Sequence, residues 1–296
     1  MFASQSILLG QQKTILAGGF ESMSNIPYYL TKARNGYRYG HGELIDGVLK
    51  DGLTDVYSNN HMGLAGEHCA KTEPFTRQQQ DEYAIESYTR AANAHKSGAF
   101  KDEIIPVEVK TKKETKLITD DEEYHRVDFS KVPSLRPAFD KEGTITAANA
   151  SSLNDGASSL VIMSLARAQE LGLKPLAKII GFGDAARAPI EFTIAPADAI
   201  PIALKMAGIS IQDVDLWEIN EAFSVVALAN MKRLNLDHKK VNVNGGAVGL
   251  GHPIGCSGAR IVTTLAHLLR NQNQRYGCAA ICNGGGGASA IVLEKM

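Results

Sequence analysis

The chain has 296 residues, of which 44% are hydrophobic and 21% are charged, a composition typical of a folded globular protein with one large core or two joined ones. Its formal net charge of -1 gives no reason to propose nucleic acid as a partner. The four cysteines form no CxxC pair and have no matching histidine spacing, which argues against a disulfide scaffold and a zinc site and indicates a reducing compartment. No stretch approaches the apolar length of a membrane span, and no signal-peptide pattern opens the chain.

The first residues predict a helix that begins without a capping residue before it. Ile7 and Leu8 lie on its apolar face, and Gly10 predicts its end. The segment TILA at residues 14–17 then predicts a short buried strand, which a turn at Gly18–Gly19 would end.

Residues 22–145 predict a long insertion, and insertions of this length are usually binding loops when they are ordered. Within it, residues 77–97 predict a helix with a capping box at Thr76 and Gln79 and a glycine directly after its end. The basic run at Lys110–Lys116 is predicted to be a solvated loop.

The rest of the chain alternates between predicted strands and helices. An apolar strand at 155–164 closes the insertion. The later elements are strands at 176–186, 215–220 and 240–247, helices at 196–208 and 221–235 between them, a helix over about 259–270 and two final strands. Alternation of this kind predicts a mostly parallel sheet covered by helices.

Both ends of the chain contain a helix, a turn, a strand and paired glycines in the same order, which predicts a duplicated unit. We therefore expect two related domains, at residues 1–165 and 172–296, with the insertion inside the first. Ligand sites in α/β sheets form at the carboxyl ends of strands. Because Asn220, His252 and Cys282 each follow a separate predicted strand, one crevice could collect all three side chains.

Each of these residues taken alone has a plainer interpretation. A cysteine in a small-residue strand is usually core, a histidine before proline is often a satisfied loop residue, and Asn220 could cap a helix that starts at Glu221. Their common position at strand ends of one domain favours a site. A nucleotide-binding role for the glycines is disfavoured, since they lead straight into another strand and no helix N-terminus is there to receive phosphate.

Three sequence blocks in a fixed order resemble the thiolase family: NEAF at 220–223, NGGAVGLGHPIGCSGAR at 244–260 and CNGGGG at 282–287. The resemblance extends over the whole chain. The loop stretches KDGLTDVY at 50–57 and TAANASSLNDGA at 146–157 most resemble the short-chain, acetoacetyl-CoA-forming branch, and especially its potassium-stimulated mitochondrial members.

The resemblance implies an α/β thiolase fold with two duplicated βαβαβαββ domains in a layered αβαβα arrangement, an incomplete N-terminal domain and a long loop domain. It also implies Claisen condensation of two acetyl-CoA molecules to acetoacetyl-CoA and CoA, and the reverse thiolysis, with no cofactor required. Family members carry a nucleophilic cysteine in a Cys-Ala-Ser-Gly segment, which by comparison would lie about two helical turns before Met1. We therefore expect an N-terminally truncated member, and we assign the nucleophile to none of Cys69, Cys256 and Cys278.

The resemblance also implies roles for four residues at the reacting atoms. His252 activates the nucleophile and donates a hydrogen bond to the thioester oxygen as enolate charge develops. Cys282 is the general acid/base, a role for which its pKa would be tuned toward the working pH. Asn220 holds a water that completes an oxyanion hole, and the amide of Gly284 points to the oxygen of the tetrahedral intermediate.

Coenzyme A thioesters are the implied substrates. The residues that the resemblance implies for binding them are Arg126 and Lys131 near the nucleotide, Ser151 near the pantetheine arm, and His61, Met62, Phe223 and Tyr88 around the pocket. The K+ ligands that it implies are the hydroxyl of Tyr88 and the carbonyl oxygens of Ala147, Ala148, Ala150 and Val248. An ordinary exposed charged loop around Arg126 and plain core packing of Met62 and Phe223 remain alternatives.

Assembly and location are implied only by the resemblance. Family members are dimers or tetramers, so we expect a homo-oligomer, in the mitochondrion or, as the alternative, in the cytosol. Two other functions stay open. The chain could be a catalytically inactive thiolase-like protein or isoform that binds CoA, or a thiolase for longer 3-ketoacyl-CoA substrates.

Overall fold

The computed structural model describes all residues from Met1 to Met296. The helices are α1 (Phe2–Leu8), α2 (Met62–Thr72), α3 (Arg77–Ser97), α4 (Glu123–Arg126), α5 (Leu165–Glu170), α6 (Pro196–Ala207), α7 (Ser224–Leu234), α8 (Ala247–Leu250) and α9 (Ile254–Asn271). The strands are β1 (Thr14–Ser22), β2 (Tyr28–Tyr29), β3 (Ile45–Asp46), β4 (Val107–Lys110), β5 (Thr115–Ile118), β6 (Asp155–Met163), β7 (Ala177–Ala186), β8 (Leu216–Ile219), β9 (Tyr276–Asn283) and β10 (Gly287–Lys295). None of the helices is both long and apolar enough to cross a bilayer.

The sheet of the C-terminal half is mixed and has the strand order β7-β10-β9-β8. Only β8 and β9 are parallel, while β10 is antiparallel to both of its neighbours. The prediction of a mostly parallel sheet is therefore wrong. The reason is the short Gly284–Gly286 turn between β9 and β10, because two strands joined so closely can pair only in antiparallel orientation.

In the N-terminal half, β1 and β6 form an antiparallel pair that runs from Thr14↔Met163 to Ser22↔Asp155. The predicted turn at Gly18–Gly19 is wrong, since β1 continues through both glycines. A Cβ atom at Gly19 would collide with the carbonyl oxygen of Gly255 at the start of α9. Gly19 therefore allows close packing of the strand against the helix.

Helix α9 lies between the two sheets and contacts β1 and β6 on one side and β8, β9 and β10 on the other. Its apolar face meets Leu216 of β8 in a core that includes Leu265 and Leu269, both fully buried. Helix α6 covers the opposite face of the larger sheet, where Trp217 and Ile219 are buried. The order of layers is therefore the β1-β6 sheet, α9, the larger sheet and α6. The unit α1-β1-β6 of the N-terminal half corresponds to α9-β9-β10 of the C-terminal half.

The predicted strand at 240–247 does not form beyond one bridge between Val241 and Trp217. The next residue, Asn242, has a φ of 47°, which ends extended pairing. Its side chain accepts a hydrogen bond from Ile219 N at 2.8 Å and donates to Ile219 O at 2.8 Å. The asparagine amide thus replaces the backbone partner that a neighbouring strand would supply to β8.

The insertion is more regular than predicted. Helix α3 spans the predicted residues and has the predicted capping box at Thr76 and Gln79. Helix α2 was not predicted, and the basic run at Lys110–Lys116 belongs to the exposed β4-β5 hairpin instead of a loop. Both α2 and α3 pack against α7, so the insertion is joined to the C-terminal half.

Candidate active site

Asn220 and His252 lie in direct contact, although 32 positions separate them in the chain. Asn220 directly follows β8, and its Nδ2 lies 3.3 Å from His252 Nε2. The other amide atom, Asn220 Oδ1, is buried and has no hydrogen-bond partner. Helix α7 begins at Ser224 with no side-chain cap, so Asn220 is not a capping residue. His252 follows α8, not the strand that we predicted.

The contacts of Ser257 and Asn220 are compatible with one tautomer of His252. Ser257 Oγ lies 2.6 Å from His252 Nδ1 and 3.0 Å from the carbonyl oxygen of Pro253. When the hydroxyl donates to Pro253 O, it accepts from Nδ1, and the imidazole proton lies on Nδ1. In the same tautomer Asn220 Nδ2 donates to Nε2, which is unprotonated and able to accept a proton.

Burial lowers the pKa of His252 to about 4, and the charge of Arg260 acts in the same direction. A buried imidazole loses more hydration energy when it is charged than when it is neutral. The ring is therefore neutral at physiological pH.

The backbone before His252 is held by a left-handed glycine and an asparagine. Gly251 has a φ of 98°, and a Cβ atom there would collide with the side chain of Asn154. Asn154 Oδ1 accepts from His252 N at 3.2 Å. The backbone at His252–Pro253 is therefore held in one conformation before α9 begins.

Cys282 lies near the end of β9, beside β8 in the same sheet. Its side chain is 8% exposed and belongs to an apolar cluster with Phe223, Ile145 and Cys69. Burial raises the pKa of Cys282 to about 12, and Cys69 adds to that shift. The predicted tuning toward neutral pH is absent from this structure, because only a hydrogen bond to its own backbone opposes the effect of lost hydration.

Gly284 is the first residue of the β9-β10 turn and leaves open space above the backbone. A Cβ atom there would come no closer than 3.9 Å to another atom, and that atom belongs to Met62 at the start of α2. This opening is compatible with the predicted approach of the tetrahedral oxygen to the Gly284 amide. The approach of Met62 to Gly284 also places the insertion beside the β9-β10 turn of the C-terminal sheet.

Glu221 is a buried anchor whose role the sequence analysis missed. Its carboxylate accepts hydrogen bonds from Tyr83 Oη and Ser87 Oγ of α3, both at 2.7 Å, and from Val248 N at 3.0 Å. It also accepts from Asn242 Nδ2 at 2.8 Å. One carboxylate thus ties α3, α8 and the end of β8 together, and the signal for it was its place directly after Asn220 in NEAF.

The predicted pantetheine-side residues lie on two neighbouring segments. Ser151 Oγ donates to the carbonyl oxygen of Ala222 at 2.9 Å, and Ala150 forms a bridge with Phe223. The ring of Phe139 stacks on His61 at 4.7 Å and meets Phe223 edge-on at 6.1 Å. His61 and Met62 also line a small cleft with Ile190 and Phe192.

The predicted nucleotide-side residues are exposed and paired with carboxylates. Arg126 forms ion pairs with Glu122 and, at 3.0 Å, with Glu123. Lys131 lies 3.0 Å from Asp128. Arg126 also lines an open cavity of about 450 Å³ between α4 and β5. Any anion that binds here must compete with these carboxylates.

Two of the predicted K+ ligands are neighbours in the structure. Tyr88 and Val248 share a small buried cluster, and the Tyr88 hydroxyl forms no hydrogen bond within the chain. Burial and the carboxylates of Glu123 and Glu221 raise the pKa of Tyr88 to about 12. The remaining residues of the predicted set are the buried Ala148 and Ala150 and the exposed Ala147, which lie on the 146–150 turn.

Comparison with known proteins matches both halves of the chain to one family. The model of the thiolase N-terminal domain matches residues 1–166, and that of the thiolase C-terminal domain matches residues 173–295. The chain is 58% identical to a probable acetyl-CoA acetyltransferase of Dictyostelium discoideum, with all of this chain and 72% of that protein aligned. It is 55% identical to the mitochondrial acetyl-CoA acetyltransferase of Rattus norvegicus, covering 100% and 69% of the two chains.

A solved structure agrees with these sequence matches. The Acat5 thiolase from Ascaris suum, crystallised with coenzyme A, superposes with a TM-score of 0.93 at 48% identity, over 100% of this chain and 75% of that one. The layered α/β fold that we predicted is thereby confirmed. The chain belongs to the thiolase family of acyltransferases.

Proposed function

We propose that the protein is an acetyl-CoA C-acetyltransferase, which joins two acetyl-CoA molecules to acetoacetyl-CoA and CoA and catalyses the reverse thiolysis. The observation that carries the proposal is the contact of Asn220 with His252, at the end of the strand that neighbours Cys282. The names of the Dictyostelium and rat relatives support the acetyl-CoA substrate. The CoA complex of the Ascaris thiolase supports the thioester class.

In this mechanism, His252 acts first as a base. Its unprotonated Nε2 takes the proton of the nucleophilic thiol, because a thiolate and not a thiol attacks the thioester carbon. The protonated Nε2 then donates to the oxygen of the second thioester while enolate charge develops there. Asn220 assists by orienting a water toward the same oxygen.

Cys282 moves the proton at the α-carbon of the second thioester. In thiolysis its thiol, which is protonated at neutral pH, gives a proton to the departing carbanion. In synthesis Cys282 first gives its proton to the CoA thiolate that leaves as the nucleophile is acylated, and the resulting Cys282 thiolate then takes a proton from the α-carbon of the second thioester. The carbon-carbon bond forms as the bond from the acyl carbon to the nucleophile sulfur breaks, and the released nucleophile thiolate takes back the proton held by His252. The amide of Gly284 stabilises the tetrahedral oxygen.

We assign the nucleophile to no cysteine of residues 1–296. Burial raises the pKa of Cys69 to about 11 and also raises the pKa of Cys256 and Cys278. Turnover is therefore measured in a hybrid enzyme, in which a thiolase segment that carries the Cys-Ala-Ser-Gly helix start is fused before Met1.

The test is thiolysis of acetoacetyl-CoA by the hybrid enzyme and its variants. We expect Cys282→Ala and His252→Ala each to lower kcat by about 10²-fold to 10⁴-fold, the usual contribution of a general acid or base. Cys256→Ala is the matched control, a buried thiol of α9 that we expect to leave kcat within about twofold. Near-normal turnover of either site variant would overturn the proposal.

The same hybrid distinguishes the two other functions. Faster turnover with a longer 3-ketoacyl-CoA than with acetoacetyl-CoA would indicate a longer-chain thiolase. Binding of CoA by calorimetry without any thiolysis would indicate an inactive CoA-binding protein.

We propose in addition that K+ binds beside Tyr88. A neutral phenol oxygen without a hydrogen bond, backbone carbonyls and nearby carboxylates suit a hard cation. We expect KCl to raise the melting temperature of the chain more than LiCl does, and Tyr88→Phe to remove this difference. A mitochondrial location, for which the rat relative's name is the support, and a homo-oligomer complete the proposal.

A further inference from the structure

A row of side chains on β8 faces α9 and leads from the apolar core to the candidate site. Leu216 packs in the leucine core, Glu218 meets Arg260, and Asn220 meets His252. The alternate residues of β8, Trp217 and Ile219, face the opposite layer. Glu218 and Arg260 therefore form a polar pair between the leucine core and the Asn220–His252 contact.

Burial makes this pair unusual. Glu218 is fully buried, and its Oε2 lies 3.4 Å from Arg260 Nη1. The atoms Glu218 Oε1 and Arg260 Nη2 are buried without any hydrogen-bond partner. A loosely joined buried pair costs more in desolvation than it returns by attraction, so it is weak evidence for a role in stability.

Glu218 does not neutralise Arg260 at physiological pH. Burial raises the pKa of Glu218 to about 8 against the opposing effect of Arg260, so its carboxyl is mainly protonated at pH 7. Glu103, the other carboxyl near Arg260, has its pKa raised by burial to about 7. The guanidinium thus remains a net positive charge inside the protein.

We propose that Arg260 is a positioning residue for the acyltransferase reaction, which with Glu218 joins α9 to β8 and whose buried positive charge adds to the effect of burial in opposing a proton on His252. Arg260 follows Ser257, the hydrogen-bond partner of His252, by one turn of α9. A buried cation on this helix disfavours a second positive charge on the imidazole, because burial reduces the screening of its charge by water. The catalytic meaning of this inference depends on the proposed function.

The other titratable groups on elements packed around His252 are thiols and carboxyls. They are Cys256 on α9, Cys282 on β9, Glu218 on β8, Glu103 beside α9 and Glu123, which accepts from Asn154 at 3.2 Å. Among all these groups, only Arg260 adds to the effect of burial on the pKa of His252. Removal of the Arg260 charge should therefore change the protonation of His252 more than removal of any other charge nearby.

The test is a pH titration of histidine-labelled chain by NMR, with the His252 signals assigned from a His252→Gln variant. We compare the wild type with Arg260→Lys, which keeps the charge, and with the double variant Glu218→Leu/Arg260→Met, which removes it. Replacing both partners by apolar residues avoids a lone buried charge, so this variant is expected to fold. Arg270→Met, on the same helix and paired with Asp102, is the matched control.

We expect the double variant to raise the pKa of His252 by about one unit, and both Arg260→Lys and the control to leave it near the wild-type value. An equal His252 pKa in the double variant and in the control would overturn the proposal. If the double variant does not fold, an unchanged His252 pKa in Arg260→Gln would overturn it in the same way.

Activity of the hybrid enzyme supplies a second readout. We expect the acid limb of the kcat/KM profile to move upward in pH with the double variant and to stay in place with Arg260→Lys. An inactive hybrid would contradict the proposed function, while the NMR titration would still decide the role of Arg260.

Discussion

Ser257 is a small residue with a large effect on the candidate base. Because its hydroxyl can donate to Pro253 O and accept from Nδ1, it favours the tautomer with the proton on Nδ1 and with Nε2 free. We expect Ser257→Ala to release this constraint and to lower kcat of the hybrid enzyme by about 10-fold to 100-fold, less than loss of the base itself. Nitrogen NMR of the ring would report the mixed tautomers. Ser158→Ala, which removes a hydroxyl that contacts Thr263 of α9, is the control and should leave both measurements unchanged.

Two glycines of the β9-β10 turn are expected to differ in role, one in turnover and the other in stability. Gly284 has room for a methyl group, whereas Gly286 has a φ of 97° and faces the carbonyl of Arg187. We expect Gly284→Ala to change the free energy of unfolding by less than about 0.5 kcal/mol and to reduce turnover. We expect Gly286→Ala to cost about 1–3 kcal/mol. Denaturant unfolding and thiolysis rates would check both, and equal losses of stability would contradict the interpretation.

At the scale of elements, the backbone of β8 is hydrogen-bonded by the side chain of Asn242, at a position where a neighbouring strand was predicted. Asn242 is 1% exposed and bonds Ile219, Glu221 and Tyr83. We expect Asn242→Ala to cost about 3 kcal/mol or more, since several buried polar groups lose their partner. Thr76→Ala, which removes only the cap of α3, should cost about 1 kcal/mol. Urea unfolding would rank the two, and a smaller loss for Asn242→Ala would show that β8 does not need this amide.

At the scale of the whole molecule, the β1-β6 pair has one face on α9 and one face in solvent. Leu16, Phe20 and Val161 are 70%, 81% and 64% exposed on the outer face. Apolar strands with free edges favour association. We expect a triple change of these residues to Thr to reduce concentration-dependent self-association in sedimentation. Val56→Thr and Ile105→Thr, which replace exposed apolar residues elsewhere, should not.

Stability against pH is also a property of the whole molecule. The pKa of Glu218 rises on folding from an ordinary value near 4.5 to about 8. The folded state therefore holds a proton that the unfolded chain has lost, and this contribution to stability falls as pH rises through that window. Its slope cannot exceed about 1.4 kcal/mol per pH unit. We expect Glu218→Gln to remove this decline, measured by urea unfolding between pH 5 and 8, and an unchanged profile would contradict the assignment.

The pKa of His252 has the opposite effect on stability. Folding lowers it from about 6.5 to about 4, so the unfolded chain binds the extra proton and stability falls as pH drops through this range. The two windows overlap between about pH 4.5 and 6.5, where the two slopes oppose each other, so the combined contribution of both groups to stability is largest there.

Local chemistry made several elements predictable from the sequence. The α3 boundaries followed from Thr76, Gln79 and a terminal glycine, and the Gly10 stop followed from its freedom to adopt a positive φ. The residue blocks around Asn220, His252 and Cys282 identified the family, because reacting groups and their glycine neighbours are short-range patterns in the chain.

The tertiary structure alone decided how these pieces meet. Gly18 and Gly19 resemble a turn until β6 is seen beside Gly18 and α9 is seen packed against Gly19. Asn242 resembles a strand residue until its amide is seen bonded to β8. The tautomer of His252, the anchoring by Glu221 and the charge on Arg260 depend on contacts between residues far apart in sequence. Burial and hydrogen-bond partners are properties of the packed chain, so no local pattern of residues could specify them.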